Sequence, residues 1–152
     1  MTSTAQTAMV DVFLVLRDGD GRVLFGLRAA DLYAGGQWNL VSGKADEGED
    51  VITAVLREAR EEVGITLSRA DLTPAGVVHL LPGTGTPRVG FGFHAVHDPA
   101  RHGLAVNAEP DKCDELRWAA PDTPPQPFER YNAAVLAVSR TENGFMVVRW
   151  SE

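Results

Sequence analysis

The stretch Asp50–Val63 (DVITAVLREAREEV) constrains this chain more than any other. On a helical wheel at about 100° per residue, Val55, Ala59, Ile52, Val63 and Leu56 fall between about 60° and 160° from Glu58. Glu58, Glu61 and Glu62 occupy a separate stripe about 100° wide, with Arg57 flanking it. A helix here must pack its apolar shoulder on a core and leave its acidic stripe to water or to cations. Gly64 follows as the residue that closes it. Glu58 and Glu62 are like charges at i,i+4, which costs an isolated helix about 0.2–0.5 kcal/mol. Glu61 and Glu62 also set negative charge at the helix C-terminus, against the macrodipole. A divalent cation on the stripe would remove both costs. Three carboxylates with no His and no usable Cys beside them form a hard, oxygen-only donor set, which favours Mg²⁺, with Mn²⁺ as substitute, over Zn²⁺ or Cu²⁺. The helix alone leaves both readings open, a solvated face and a cation site.

The rest of the pattern surrounds this helix with strands. Val10–Leu16 is apolar and β-branched, and Asp18-Gly19-Asp20-Gly21 is a hairpin turn returning through Arg22–Arg28. That turn is no calcium loop, because Arg22 stands at the third ligand position. Strands are predicted at Trp38–Val41, Ala75–Leu81, Arg88–His97, Glu115–Ala119 and Phe145–Trp150, with a polar loop at Ser42–Glu49 and irregular chain at Pro99–Asp114. A second helix is predicted over Phe128–Arg140, with Tyr131, Ala134, Val135 and Val138 at helical spacing. Strands interleaved with two helices predict an α/β fold, a sheet sandwiched by helices. The 152 residues suit one domain spanning 1–152.

Composition excludes several functions. With 14 basic and 21 acidic side chains the net charge is −7, which argues against polymeric nucleic acid as a partner. The single Cys113 rules out an intramolecular disulfide framework. No apolar run reaches the ~18 residues of a membrane span, and the first residues lack the basic and apolar regions of a signal peptide. The expectation is a soluble cytoplasmic protein, monomer or homodimer.

From Gly43 to Ile65 the chain reads GKADEGEDVITAVLREAREEVGI. This resembles the signature of the Nudix hydrolases, G-x5-E-x7-R-E-U-x-E-E-x-G-U with U apolar. Gly43, Glu49, Arg57, Glu58, Glu61, Glu62 and Gly64 match its fixed positions, and Ala59 and Ile65 fill the apolar ones. At a frequency of ~7% per residue type, seven such matches arise by chance in about one window in 10⁸. Weaker likeness extends upstream through Leu32–Val41 and downstream through Asn107–Trp118.

The resemblance implies the Nudix fold, a mixed β-sheet sandwiched between helices, with the box at 43–65 forming a loop-helix-loop that holds divalent metal over a polyphosphate. It implies Glu58, Glu61 and Glu62 as metal ligands, joined by the backbone carbonyl of Ser42. Arg57 would orient the glutamates by charge-assisted hydrogen bonds, and Glu49 would salt-bridge or cap within the loop. Gly43, Glu49 and Gly64 are the structural positions of the box. Glu58 is the first candidate for general base, with Glu61 behind it. Some members use one further late carboxylate, for which Glu109 and Glu115 are the candidates. Arg28 and Lys44 are the candidate fixed cations for the polyphosphate.

The reaction implied is Mg²⁺-dependent hydrolysis of a nucleoside triphosphate to a monophosphate and pyrophosphate, in the manner of a pool-cleaning enzyme. Hydrolysis of a nucleoside diphosphate linked to another group, such as ADP-ribose or a dinucleotide, is the alternative. A nucleotide sensor without turnover is a third, which the intact box disfavours. Trp38, Phe91, Phe93 and Trp118 are candidates to stack on a base, although large aromatics mostly bury. Gly90 and Gly92, on the other face of the same strand, would leave room for a flat ligand or a backbone. The four histidines are expected at polar or surface positions, and Cys113 is not expected to be a nucleophile.

Overall fold

The computed structural model describes residues 4–151, so the ends of the expected domain, 1–3 and 152, lie outside the described residues. Strand β1 (Met9–Arg17) is the centre of the molecule. Its side chains alternate: Val12, Leu14 and Leu16 face one core cluster, while Phe13 and Val15 face the other. Helix α1 (Val51–Val63) covers the first cluster with Ala54, Val55, Ala59 and Val63. Helix α3 (Arg130–Val138) covers the second with Tyr131, Val135, Leu136 and Val138. The expected mixed sheet between helices is therefore present.

The sheet forks at β1. Along one edge β1 pairs in parallel with all of β6 (Arg88–Val96), which is followed by β5 (Thr73–Leu81) and β8 (Phe145–Arg149). On the other edge β4 (Val41–Lys44) takes Asp11–Leu14, so β2 (Val23–Arg28) meets β1 only at the Arg17↔Val23 pair. Beyond it, β2 diverges and pairs with β3 (Trp38–Asn39) and β7 (Cys113–Ala119). The gap between β2 and β4 opens a cleft at the C-terminal end of α1.

Three expectations are corrected. The Ser42–Glu49 loop begins later, because Ser42, Gly43 and Lys44 pair with Phe13, Val12 and Asp11 as part of β4. The strand predicted over Trp38–Val41 breaks at Leu40, whose N–H donates to Asn132 Oδ1 at 2.9 Å instead of to a neighbouring strand. The irregular segment 99–114 contains the short helix α2 (Pro99–His102), started by the Asp98 side chain accepting from Ala100 N–H. Among the described residues no helix is long and apolar enough to cross a membrane.

Two histidines are buried rather than polar surface groups: His97 and His102 stack on each other, and His97 stacks on Trp118. His97 Nε2 lies 2.7 Å from the Gly103 carbonyl, and His102 Nδ1 accepts from Asp98 N–H. The space beside Gly90 and Gly92 is filled by α3, not by a ligand. A Cβ at Gly90 would lie 2.7 Å from the Tyr131 hydroxyl, and one at Gly92 would lie 3.3 Å from Val135.

An ion pair between the buried Asp11 and the half-buried Arg88 ties β1 to β6 and α3. Asp11, 6% exposed at its side chain, accepts two bonds from Arg88 at 2.8 Å and one from the Tyr131 hydroxyl at 2.8 Å. Arg88→Met leaves that carboxylate without its cation and is expected to cost about 3 kcal/mol. For a chain of this length each kcal/mol moves the melting temperature by roughly 2–4 °C, so thermal denaturation reads a fall of about 6–12 °C. Tyr131→Phe, which removes one hydrogen bond and keeps the ion pair, is expected to cost less than half as much.

Candidate active site

The acidic stripe is set by how α1 begins and ends. Asp50 caps the helix, its carboxylate accepting from Ile52 and Thr53 N–H at 2.9 Å. Gly64, at φ 70°, turns the chain in the left-handed conformation, and its N–H closes on the Ala59 and Arg60 carbonyls. Between these ends the core face locks the helix rotation, so Glu58 and Glu62 stand against β4 while Glu61 is half exposed.

Arg57 organises the box. A guanidinium has five N–H donors, and here each has an acceptor. Nε and Nη2 donate to the two Glu49 oxygens at 2.9 Å. Nη1 donates to Glu58 at 2.8 Å and Glu61 at 3.1 Å, and Nη2 also donates to the Lys44 carbonyl at 3.0 Å. Glu49 in turn accepts from Asp46 N–H, which folds the loop back on itself. Arg57 thus ties Glu49 in the loop to Glu58 and Glu61 on the helix.

Charge crowding is uneven across the stripe. Hydrogen bonding to Arg57 pulls the Glu49 carboxyl down to about 2. Burial pushes Glu58 above its usual range despite the opposing Arg57. Burial, then the charge of Glu58, pushes Glu62 well above the carboxylate range, and among the described residues its one hydrogen-bond partner is the Ser42 N–H at 3.1 Å. The Gly43 Cα carries no Cβ where the Glu58 carboxyl group sits, and any larger residue would fill that place. Among the described residues no three carboxyl, imidazole or thiol groups converge closely enough to hold an ion with Arg57 in its present position between Glu58 and Glu61.

A cavity of about 110 Å³ lies in the fork of the sheet, lined by Arg28, Asn39, Ser42, Glu62, Glu109 and Lys112, among others. Of the candidate residues, Arg28, Ser42, Glu62 and Glu109 reach it. A register shift between Leu27 and Arg28 sets Arg28 opposite Cys113, at the cavity wall. Lys44 does not line it; its side chain is exposed at the end of β4. Glu115 does not line it either, and is held by Arg117 at 2.9 Å on the exposed side of β7. Of the aromatic candidates, Trp38 and Phe93 are core, Phe91 packs beside α1, and Trp118 stacks on His97; none lines the cavity. Glu109 is delivered by a loop stitched to the end of α1, with Val106 N–H donating to the Val63 carbonyl and Ala108 N–H to the Glu62 carbonyl. Sequence reasoning missed Asn39, Lys112 and the wall position of Cys113. Nothing local marks Asn39, because only the fork turns it toward the cavity.

The family model of the NUDIX domain matches residues 7–140. The chain belongs to the Nudix family. Its fold is similar to the crystal structure of a MutT Nudix hydrolase from Burkholderia pseudomallei, at 31% identity and a TM-score of 0.76 over 90% of this chain and 100% of that one. In sequence it is 33% identical to an RNA pyrophosphohydrolase of Caulobacter vibrioides, across 93% of this chain and 92% of that protein. It is 26% identical to a CTP pyrophosphohydrolase of Escherichia coli, across 75% and 78%. As a Nudix hydrolase it is a pyrophosphohydrolase of nucleotides. In this member of the family the segment that carries the signature residues runs from Gly43 in β4 to Ile65 beyond α1, and Arg57 makes contacts along it.

Glu49→Gln probes these Arg57 contacts by pH. The Glu49 carboxyl is lower in the folded chain than in the unfolded one, so its contribution is present above the unfolded value near 4.5 and fades as pH falls toward 2. The stability gap between parent and Glu49→Gln, read by urea denaturation, is expected to be level at neutral pH and to close across that acidic window.

Proposed function

We propose that this chain hydrolyses a nucleoside triphosphate, or a related nucleoside diphosphate linked to a second group, to a nucleoside monophosphate plus pyrophosphate or the phosphorylated group, using Mg²⁺ or Mn²⁺. The observation that carries this reading is the placement of Glu58, Glu61 and Glu62 on one stretch of helix beside a cavity that also receives Glu109 and two cations, Arg28 and Lys112. The donor set fits a hard divalent ion: carboxylates without imidazole, two of them raised by burial and crowding, with the Glu58 carboxyl seated against Gly43, where any Cβ would displace it. Glu58, Glu61 and Glu62, with the Ser42 carbonyl, would hold it. Bound there, the ion would offset the charge of the polyphosphate and acidify a water for attack at phosphorus.

The chain's own groups supply the rest. Arg57 holds Glu58 through Nη1, and a cation arriving on these oxygens competes with that guanidinium. Burial raises the affinity of Glu58 for a proton, which suits it to accept one from water. Arg28 and Lys112 attract the substrate's phosphates into an otherwise acidic protein. Two cations at the cavity and a net charge of −7 favour a free nucleotide over the end of a polymer. Damaged or non-standard nucleotides of the cytoplasmic pool are the natural substrates of such a compact cleft.

The test is a panel of nucleoside triphosphates, diphosphates, ADP-ribose and dinucleoside polyphosphates with Mg²⁺ and Mn²⁺, scored by product. Pyrophosphate release from a triphosphate is the expected result. Cleavage of ADP-ribose alone would shift the assignment to the diphosphate-linked substrates. Binding without turnover would mark a sensor and overturn the proposal.

A further inference from the structure

The cavity lining mixes two kinds of polar group: the carboxylates Glu62 and Glu109, and the uncharged amide of Asn39 on the short strand β3. Asn39 is not free to present either side of its amide. Asn132, buried on α3, fixes it through a chain of donors and acceptors.

The chain begins where there is no ambiguity. Glu129 caps α3, and its carboxylate accepts from Tyr131 and Asn132 N–H. The same carboxylate accepts from Asn132 Nδ2 at 2.7 Å. On its other side, Asn132 Oδ1 accepts from the Leu40 backbone N–H at 2.9 Å. A carboxylate only accepts and an amide N–H only donates, so these two partners set the Asn132 amide in one orientation. Its second Nδ2 hydrogen then donates to Asn39 Oδ1 at 3.3 Å. With that oxygen engaged, the Asn39 amide nitrogen is left as the free group, and it has no acceptor among the described residues.

We propose that Asn132 is a positioning residue for base selection: it holds the Asn39 oxygen, and so turns the Asn39 amide nitrogen to the substrate as a donor for a nucleobase edge that carries a keto oxygen. This rests on the reading of the cleft as a nucleotide site given above. Asn39 is the specificity-determining contact. Asn132 and Glu129, one layer behind it, decide which half of that amide the base meets. An amide free to flip would accept from amino groups as readily as it donates to keto groups, and discrimination between them would fall.

The experiment is steady-state kcat/KM on ATP, GTP, CTP and UTP with Mg²⁺ for the parent, Asn39→Asp and Asn132→Leu, with a thermal melt on each. The parent is expected to favour keto-bearing bases over adenine. Asn39→Asp exchanges the donor for an acceptor and is expected to shift the ratio of ATP to UTP by at least tenfold toward ATP. Asn132→Leu is expected to bring the ratios among bases together, acting through KM more than kcat, which a general loss of fold would not do. Should Asn132→Leu melt early, Glu129→Gln, which exchanges the acceptor that orients the Asn132 amide for a group able to donate or accept, tests the same relay, and base ratios unchanged in a folded Glu129→Gln would overturn the positioning role. Turnover with base ratios unchanged in Asn39→Asp would overturn the inference and leave the proposed reaction intact. Absence of turnover in the parent on every nucleotide would overturn both.

Discussion

Glu62→Gln is expected to lower Mg²⁺-dependent turnover at least a hundredfold while the metal-free protein melts a few degrees higher than its parent. The two effects have one cause. Glu62 is the carboxylate most strongly raised by burial, and Glu58 adds like charge beside it. A carboxyl group raised in the folded chain is harder to ionise there than in the unfolded chain, so its contribution is present below the unfolded value and is lost as pH rises toward the folded one, which works against folding above the acidic range. Glutamine removes the charge and keeps an oxygen that can accept from Ser42 N–H, so the contact at 3.1 Å survives. What disappears is one anionic oxygen for a cation, and a hundredfold loss corresponds to about 2.7 kcal/mol of transition-state stabilisation. Added Mg²⁺ is expected to reverse the order of the melting temperatures. An ion at a hundred times its Kd stabilises the parent by about 2.7 kcal/mol, and the variant gains less. Steady-state kinetics and thermal melts with and without Mg²⁺ check both halves. A variant with near-parental turnover would remove Glu62 from the proposed ligands.

The box could be read from the sequence because its logic is local. Asp50, the apolar shoulder and Gly64 define α1 from within one segment, and the structure returns them as cap, core face and left-handed terminus. Arg57 and Glu49 are eight residues apart, so their contact also lies within reach of a local pattern. What escaped depends on distant chain. Whether Ser42–Lys44 is loop or strand is decided by β1, some thirty residues earlier. The break at Leu40 is decided by Asn132, which lies 92 residues away in the sequence. Glu109 lies in a segment with no regular pattern and Glu115 in a strand, but neither pattern tells which carboxylate meets the cavity: the loop stitched to the end of α1 brings Glu109 there, while β7 holds Glu115 away. Nothing nearby in the sequence announces that His97 and His102 are buried, because the ring that stacks on His97 comes from Trp118 on β7 and His102 stacks behind it.

Gly43→Ala carries the second large expected effect and tests whether the box glycine is there for shape. Its backbone is paired with Val12 in the middle of the β1–β4 ladder, so it cannot retreat from α1. An added Cβ would overlap the carboxyl carbon and both oxygens of Glu58. The helix carrying Glu58 is fixed at its cap and along its core face, so the side chain has to move instead. It then loses the 2.8 Å contact with Arg57 Nη1. Misplacement of a reacting group by about 1 Å can cost a hundredfold in rate, and a loss of that order is expected here. Stability should change little, because an alanine in a strand is less costly to order than a glycine. The decisive measurement is a double-mutant cycle. If Gly43→Ala acts by displacing Glu58, then adding it to Glu58→Ala should cause no further fall in kcat. Independent, multiplying losses would mean that Gly43 acts on the site by another route, such as the Ser42 carbonyl next to it.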